Sequence, residues 1–238
     1  MARFVSLLMK VAIVFFFFMK LNVAVEVKKQ ALKRVQRLND IFRNHSGFIE
    51  EKVDFNGNSP VIVGFGPAGM FAGLYLAKKG LKPVILEQGK SVYERQKDVD
   101  EFWNERKLNE KSNVQFGEGG AGTFSDGKLT TRVKDLRIHK VLDEFVKMGA
   151  KEEIKYVSNP HIGTDCLRTI VKNIRNEIIR LGGEIHFDTQ LLEMEYTNNK
   201  ITKIITNKGS FDTNDVILAI GHSARDTFYM LDKNNIIM

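Results

Sequence analysis

One short segment determines how the rest of the chain folds: Val61-Ile62-Val63-Gly64-Phe65-Gly66-Pro67-Ala68-Gly69. It predicts a buried β-strand that runs into a glycine turn and then into a helix. In such a unit Gly64 permits the tight turn, Gly66 lets the backbone approach a pyrophosphate, and Gly69 lets helix and strand pack closely. Pro67 suits the first helical turn, where its missing N–H would be unpaired anyway. The segment predicts a dinucleotide site, with a purely structural β-α-β unit as the alternative.

The residues that follow favour the dinucleotide. An apolar stripe predicts a helix over residues 70–79, which Gly80 ends, and residues 83–86 predict a second buried strand. That strand ends on Glu87. An acid roughly 20 residues beyond the glycines is what binding a ribose hydroxyl requires.

Composition limits the class of protein. The chain has 238 residues, of which 43% are hydrophobic and 27% charged, as expected of a globular protein. Its net charge of +7 is spread among interleaved acids and predicts a solvated basic surface, not a nucleic-acid site. Cys166 is the only cysteine, which excludes an internal disulfide or Cys-x-x-Cys pair and favours a reducing, cytoplasmic location. Cys166 itself is interpreted as a small core residue.

The N-terminal residues divide into two parts before a main domain over residues 60–238. Residues 1–20 are apolar but interrupted by Lys10 and Lys20, and no uninterrupted run reaches the ~20 residues that span a bilayer. We interpret them as an atypical or non-native leader; a membrane anchor or signal and a folded strand are the alternatives. Residues 21–59 predict a small strand–helix module followed by a linker.

A second glycine-rich segment covers residues 112–132 and contains five glycines. Such a density of glycine implies that the backbone approaches something closely. Phe116, Phe124 and Leu129 would anchor it, which disfavours a flexible linker, the alternative. The segment predicts a loop that lies against a cofactor, with Lys128 and Arg132 supplying positive charge.

Three further helices are predicted. The first covers residues 91–108, with Trp103 in core or lid packing; the second covers residues 135–148; the third is capped by Thr164 or Asp165 and ends at residues 182–183. His161 precedes the third helix and is either a site residue or, as we favour, a loop-packing histidine.

From residue 184 the hydrophobic period changes to two. Residues 185–187, 192–196 and 201–205 predict short strands of an antiparallel meander, with Leu192, Met194 and Tyr196 on its apolar face. The unbroken apolar run 216–220 then predicts a strand buried in a parallel sheet. It ends at Gly221, so its carboxyl end is expected near the cofactor cleft.

These motifs, in this order, resemble the glutathione-reductase-like class of flavoproteins. More narrowly, residues 61–228 resemble the bacterial family of uncharacterised FAD-dependent dehydrogenases, on residues 61–69, 112–132, 160–164 and 216–228. The family also has a strand–helix module before the flavin domain, which residues 23–42 approximate. Residues 1–20 depart from the family, and family members continue well past residue 238, so a C-terminally truncated member is expected.

The resemblance implies an α/β fold: a Rossmann-like FAD-binding parallel sheet with an antiparallel β-meander, preceded by the small module. It implies hydride or electron transfer through bound FAD, with NAD(P)H as a candidate electron donor and a small-molecule substrate that the sequence does not identify. The predicted cofactor-binding residues are Gly64, Gly66, Pro67, Ala68, Gly69, Glu87, Gly119, Gly120, Ala121, Gly122, Thr123, Lys128 and Gly221.

Two alternative functions stay open at this point, an NAD(P)-dependent reductase of the same fold and a non-catalytic nucleotide-binding fragment. No metal site and no nucleic-acid partner are predicted. No residue can be named as catalytic acid or base: Asp126, Lys128, His161, His222 and Arg225 are polar residues at plausible cleft positions, but the sequence around them assigns no role to any of them.

Overall fold

The computed structural model describes residues 52–53, 57–124, 127–129, 137–157, 160–198, 200–234 and 236. The predicted leader and the strand–helix module of residues 21–42 lie outside the described residues, as do Asp126 and Arg132. Within the described ranges, no helix is long and apolar enough to cross a membrane.

The helices and strands follow one another in the order expected of an α/β protein. In chain order they are β1 (Val61–Val63), α1 (Pro67–Lys78), β2 (Val84–Leu86), α2 (Val92–Glu105), a 3₁₀ turn (Gly120–Phe124), α3 (Arg137–Lys147), a second 3₁₀ turn (Glu152–Lys155), α4 (Thr164–Arg180), β3 (Glu184–His186), β4 (Leu191–Thr197), β5 (Lys200–Thr206), β6 (Gly209–Asp212), β7 (Val216–Leu218) and α5 (Arg225–Lys233).

The main sheet is parallel and has four strands in the order β3-β2-β1-β7. Ile62 in β1 pairs with Ile85 in β2 on one side and with Ile217 in β7 on the other. The three residues of β1 and the three of β2 are all buried. Such strands need apolar side chains on both faces, which explains the unbroken apolar runs in the sequence.

The parallel sheet separates two hydrophobic cores. Ile62 and Ile85 point to the side of α1, α3 and α4, where Phe71 of α1 meets Phe145 of α3 with ring centroids 5.5 Å apart. Val61 and Val63 point to the opposite side and pack with residues of β4, β5 and α5. This alternation follows from the two-residue period of a strand. The predicted α/β architecture with a parallel sheet and a meander is confirmed.

The assignment of residues 185–187 to the meander is wrong. β3 lies parallel to β2, with Ile185 opposite Ile85, and forms one edge of the main sheet. The antiparallel sheet contains only β4, β5 and β6 among the described strands. A chain leaving the end of α4 returns to the sheet in the parallel direction, as in any β-α-β crossover, and a three-residue strand is too short to show this by periodicity.

The predicted apolar face of β4 is wrong at two of its three positions, because Met194 is buried as predicted but Leu192 and Tyr196 are not. Leu191 and Met194 are buried, whereas Leu192 and Tyr196 are 48% and 40% exposed. The pairing of β4 with β5 shifts register between Leu191 and Glu193 and again between Glu195 and Tyr196. A bulge of this kind changes which side chains face inward, and it breaks the alternation on which the prediction rested.

Four further expectations are wrong in whole or in part. β7 is an edge strand of the described sheet and is only partly buried, with Leu218 38% exposed. Trp103 is 53% exposed, so it does not pack in the core. Helix α4 begins at Thr164 with Gly163 at the N-cap and no side-chain cap, so neither Thr164 nor Asp165 caps it. Cys166 packs against the core but is only partly buried.

Candidate functional site

Two of the three glycines in the first turn are required by the packing of the protein itself. Gly64 has φ +100°, and a Cβ there would lie 2.5 Å from the Ala219 carbonyl oxygen. A Cβ on Gly69 would lie 1.8 Å from the Gly64 carbonyl oxygen. The turn therefore fits tightly between α1 and the residues that follow β7, and neither position tolerates a side chain.

Gly66 is different, because nothing in the described part of the chain requires it to be glycine. Its φ of −72° and ψ of −175° are allowed for any residue. A Cβ there would have the Gly120 Cα as its nearest atom, at an ordinary 3.9 Å. Bare backbone at this position, just ahead of the N-terminus of α1, is what close approach of a phosphate group requires.

Glu87 is held at the same turn by main-chain hydrogen bonds. Its Oε2 accepts from the Phe65 N–H at 2.7 Å and its Oε1 from the Gly89 N–H at 2.8 Å. The residue is only 5% exposed. Each carboxylate oxygen has a second lone pair, so a ribose hydroxyl could still donate to it. The structure thus brings Glu87 to the glycine turn, as the sequence predicted.

The second glycine loop lies directly on the first turn. The Gly119 N–H donates to the Phe65 carbonyl at 2.9 Å. Gly120 has φ +65°, and a Cβ there would lie 3.3 Å from the Gly66 Cα and 3.1 Å from Pro67 Cδ. Two segments of main chain therefore face each other across Gly66 and Gly120 without a side chain between them.

The remaining predicted site residues are placed in different surroundings. Ala121 and Gly122 belong to the 3₁₀ turn and are partly exposed, whereas Thr123 is fully buried and its hydroxyl donates to the Glu118 carbonyl at 3.4 Å. Thr123 is thus turned into the loop. Lys128 is exposed and forms an isolated β-bridge with His161.

The carboxyl end of β7 does reach the glycine turn. The Ala219 N–H donates to the Val63 carbonyl at 2.8 Å. Gly221 follows with φ +71° and open space around its Cα. His222 and Arg225 are exposed beyond it. The predicted role of these residues in binding remains a prediction.

Sequence reasoning missed Arg95, which organises the second loop. Its side chain is 0% exposed, and its hydrogen bonds within the described residues all go to main-chain carbonyls: Asn113 at 2.7 Å, Glu118 at 2.7 Å, Gly120 at 3.0 Å and Val114 at 2.9 Å. The guanidinium also lies over the Phe124 ring, 4.8 Å from its centroid. Burial lowers the pKa of Arg95 to about 10, which leaves it charged at neutral pH. The signal in the sequence is its spacing, three residues after Val92 and four before Val99 on the apolar stripe of α2.

Glu118 is the second charged residue that sequence reasoning missed. It is 0% exposed, and its Oε2 accepts from the Val92 N–H at 2.6 Å and from Arg175 at 3.0 Å. Its Oε1 is buried and has no hydrogen-bond partner within the described part of the chain. Burial raises the pKa of Glu118, against the opposing effects of its hydrogen bond and of Arg175. Glu118 joins the start of α2 to α4 beneath the glycine loops.

Outside the glycine loops, the described residues form no second candidate site. A cleft of about 460 Å³ is lined by Lys78, Lys147, Arg180 and residues of α4. Its cations are already engaged, the lysines with Glu144 and Arg180 with Glu177. Among the residues that the structure describes, no group of three His, Cys, Asp or Glu side chains could hold a metal ion.

The chain is similar to several known proteins. A protein of Clostridium beijerinckii described as uncharacterized is 54% identical over 179 residues, which make up 75% of this chain and 34% of that protein. The chain therefore spans about a third of the length of this relative. No protein-family model matches the chain.

Among solved structures, L-proline dehydrogenase from P. horikoshii is similar, with a TM-score of 0.50 and 16% identity over 76% of this chain and 56% of that one. The THI4 protein of Thermovibrio ammonificans has a TM-score of 0.49 and 17% identity over 89% of this chain and 72% of that one. At this level of identity the likeness concerns the fold alone. The chain has a Rossmann-type α/β fold.

Proposed function

We propose that this chain binds FAD against its two packed glycine loops and forms the FAD-binding part of a flavin-dependent oxidoreductase. One observation carries the proposal: bare main chain at Gly66 and Gly120 meets at the carboxyl end of the parallel sheet, where Glu87 is fixed 2.7 Å from the Phe65 nitrogen. Ligands of open α/β sheets bind at this end of the strands.

The residues present fit a dinucleotide. Gly66 leaves room that the packing of the chain does not use, and the first N–H groups of α1, those of Ala68 and Gly69, have no partner inside the helix. They would donate to the pyrophosphate, and the helix dipole would favour its negative charge. Glu87 would accept from the hydroxyls of the adenosine ribose.

The second glycine loop and β7 favour FAD over a nicotinamide dinucleotide in this proposal. A plain NAD domain has no use for a further loop on the glycine turn, whereas a longer cofactor would extend along Gly119–Thr123 towards Gly221. FAD supplies hydride or electron transfer when it is bound. The chain contributes binding and orientation; we propose NAD(P)H as electron donor, a small-molecule substrate and a cytoplasmic location.

The absorbance spectrum of the purified chain tests the proposal. We expect a resolved visible flavin band that survives gel filtration, or that appears on titration with FAD, and we expect the cofactor released by heat to be FAD. Saturable binding of NAD(P)H without any FAD binding would instead indicate a nicotinamide-dependent reductase. FAD binding with no turnover of NAD(P)H and an artificial electron acceptor would indicate a non-catalytic nucleotide-binding protein.

A further inference from the structure

We propose that Arg95 is a positioning residue for the cofactor: from beneath the second glycine loop it fixes the main chain that faces the dinucleotide. This inference rests on the proposed binding of FAD. Arg95 acts through the loop, because its guanidinium is buried and its described hydrogen bonds go to the carbonyls of residues 113, 114, 118 and 120.

The planar peptide bond makes Arg95 an orienting group. In a trans peptide the C=O and the following N–H point in opposite directions. When Arg95 draws the Glu118 carbonyl inward, the Gly119 N–H must point away from Arg95, and it donates to the Phe65 carbonyl at 2.9 Å. The inward Gly120 carbonyl likewise turns the Ala121 N–H away from the guanidinium. One buried side chain thereby orients two peptides, 118–119 and 120–121, of the loop that borders Gly66.

The loop sequence leaves space for this arginine. A Cβ on Gly117, where φ is +119°, would lie 2.5 Å from Arg95 Cδ. A Cβ on Gly89 would in turn lie 2.6 Å from the Gly117 Cα. Gly89 and Gly117 therefore allow the main chain to close around the Arg95 side chain, while Gly119 and Gly120 face the first turn.

Another side chain at position 95 would leave some of these carbonyls without a hydrogen-bond donor. Four main-chain oxygens accept from one guanidinium, whose planar fork has five N–H donors in fixed directions. A lysine at this position would keep the charge and most of the stem but has three donors on one nitrogen atom. We therefore expect Arg95→Lys to fold with a loop that is no longer held in one conformation.

The experiment compares Arg95→Lys with Arg168→Lys in the 238-residue chain. Arg168 is a matched control, because it lies over the same Phe124 ring at 5.9 Å but donates to the side chains of Gln96 and Asp165. FAD binding is measured by quenching of flavin fluorescence, and amide hydrogen exchange of residues 113–124 is measured without FAD. Thermal unfolding is recorded for both variants.

We expect Arg95→Lys to raise the Kd for FAD at least about tenfold. We also expect residues 113–124 to exchange faster in Arg95→Lys while β1 and α1 keep their protection. Arg168→Lys should leave both the Kd for FAD and the exchange of residues 113–124 unchanged. A purely structural role would lower the unfolding temperature without changing the Kd of the folded protein, and that result would overturn the inference.

The two proposals fail in different ways. A wild-type chain that does not bind FAD refutes the proposed function, and the exchange measurement still tests Arg95: unchanged protection in Arg95→Lys overturns its role. If Arg95→Lys does not fold, amide exchange of the wild-type chain tests the inference. The inference requires the Gly119 and Gly120 amides of the wild-type chain to be strongly protected from exchange. Amides there that exchange as fast as those of the exposed turn at residues 207–209 would contradict the inference.

Discussion

Replacing Gly66 and Gly69 one at a time by alanine separates the needs of the fold from those of the ligand. The two glycines are three residues apart in the same turn, and the same methyl group is added at each. At Gly69 that methyl meets the Gly64 carbonyl oxygen at 1.8 Å, and at Gly66 it meets nothing closer than 3.9 Å.

The expected magnitudes follow from these distances. Forcing a methyl into packed main chain costs about 1–3 kcal/mol and occasionally more. A separation of 1.8 Å from a backbone atom belongs to the upper end of that range, so we expect Gly69→Ala to lose about 3 kcal/mol. At about 2–4 °C per kcal/mol for a domain of this size, Tm should fall by roughly 6–12 °C. Gly66 is the N-cap of α1, where glycine is preferred to alanine, so Gly66→Ala should cost about 1 kcal/mol, well below the loss expected for Gly69→Ala.

FAD binding should show a different pattern. The added methyl of Gly66→Ala occupies space that we assign to the pyrophosphate, so we expect a loss of at least about 1.4 kcal/mol, or tenfold in Kd. The assay pairs thermal unfolding with FAD titration, both on the same preparation. A Gly66→Ala variant that binds FAD within twofold of wild type would refute the assignment of Gly66 to the cofactor.

Three further outcomes are expected. Glu87→Gln leaves one acceptor oxygen for the Phe65 and Gly89 N–H groups, so urea unfolding should show a loss of about 1–3 kcal/mol; unchanged stability would contradict those two hydrogen bonds. Because burial raises the pKa of Glu118 above its ordinary 4.5, the folded chain binds more protons than the unfolded one, and stability should fall as pH rises from 4.5 through the raised pKa. Glu118→Gln should remove that slope in urea midpoints measured across the same range, and an equal slope in both proteins would exclude Glu118 as its source. Trp103, the only tryptophan, should emit like a solvated indole, and Trp103→Phe should change stability by less than about 0.5 kcal/mol; a blue-shifted emission would place it in a buried environment.

Local sequence predicted the parts of the fold whose causes are local. The strand–turn–helix from Val61, the second strand and the acid at its end depend on short-range periodicity and glycine geometry, and the structure has all three. The second glycine loop lies on the first turn through Gly119 and Gly120, and its predicted contact with a cofactor stays a prediction.

The features that sequence did not predict depend on contacts between distant residues. A charged side chain such as that of Arg95 is ordinarily expected to be exposed to solvent. In the structure, carbonyls from a loop about 20 residues away accept its hydrogen bonds and make its burial stable. The register of β4 depends on its bulges opposite β5. The alternation of apolar and polar residues in the sequence does not reveal these bulges. β7 has the composition of an interior strand, but whether a neighbour covers its outer side is a property of the whole sheet, not of residues 216–218.

The central place of β1 has a consequence for synthesis on the ribosome. β1 pairs with β2 almost at once, but its other edge waits for β7, where Val61 meets Val216. The intervening roughly 150 residues take on the order of ten to thirty seconds to translate at about 5–20 residues per second. Throughout that interval the most apolar strand pair of the nascent chain presents an unpaired edge, the feature that promotes association between chains. We expect the yield of soluble protein to depend on how fast residues 87–216 are translated, and a chaperone that shields an extended apolar segment should act within this window.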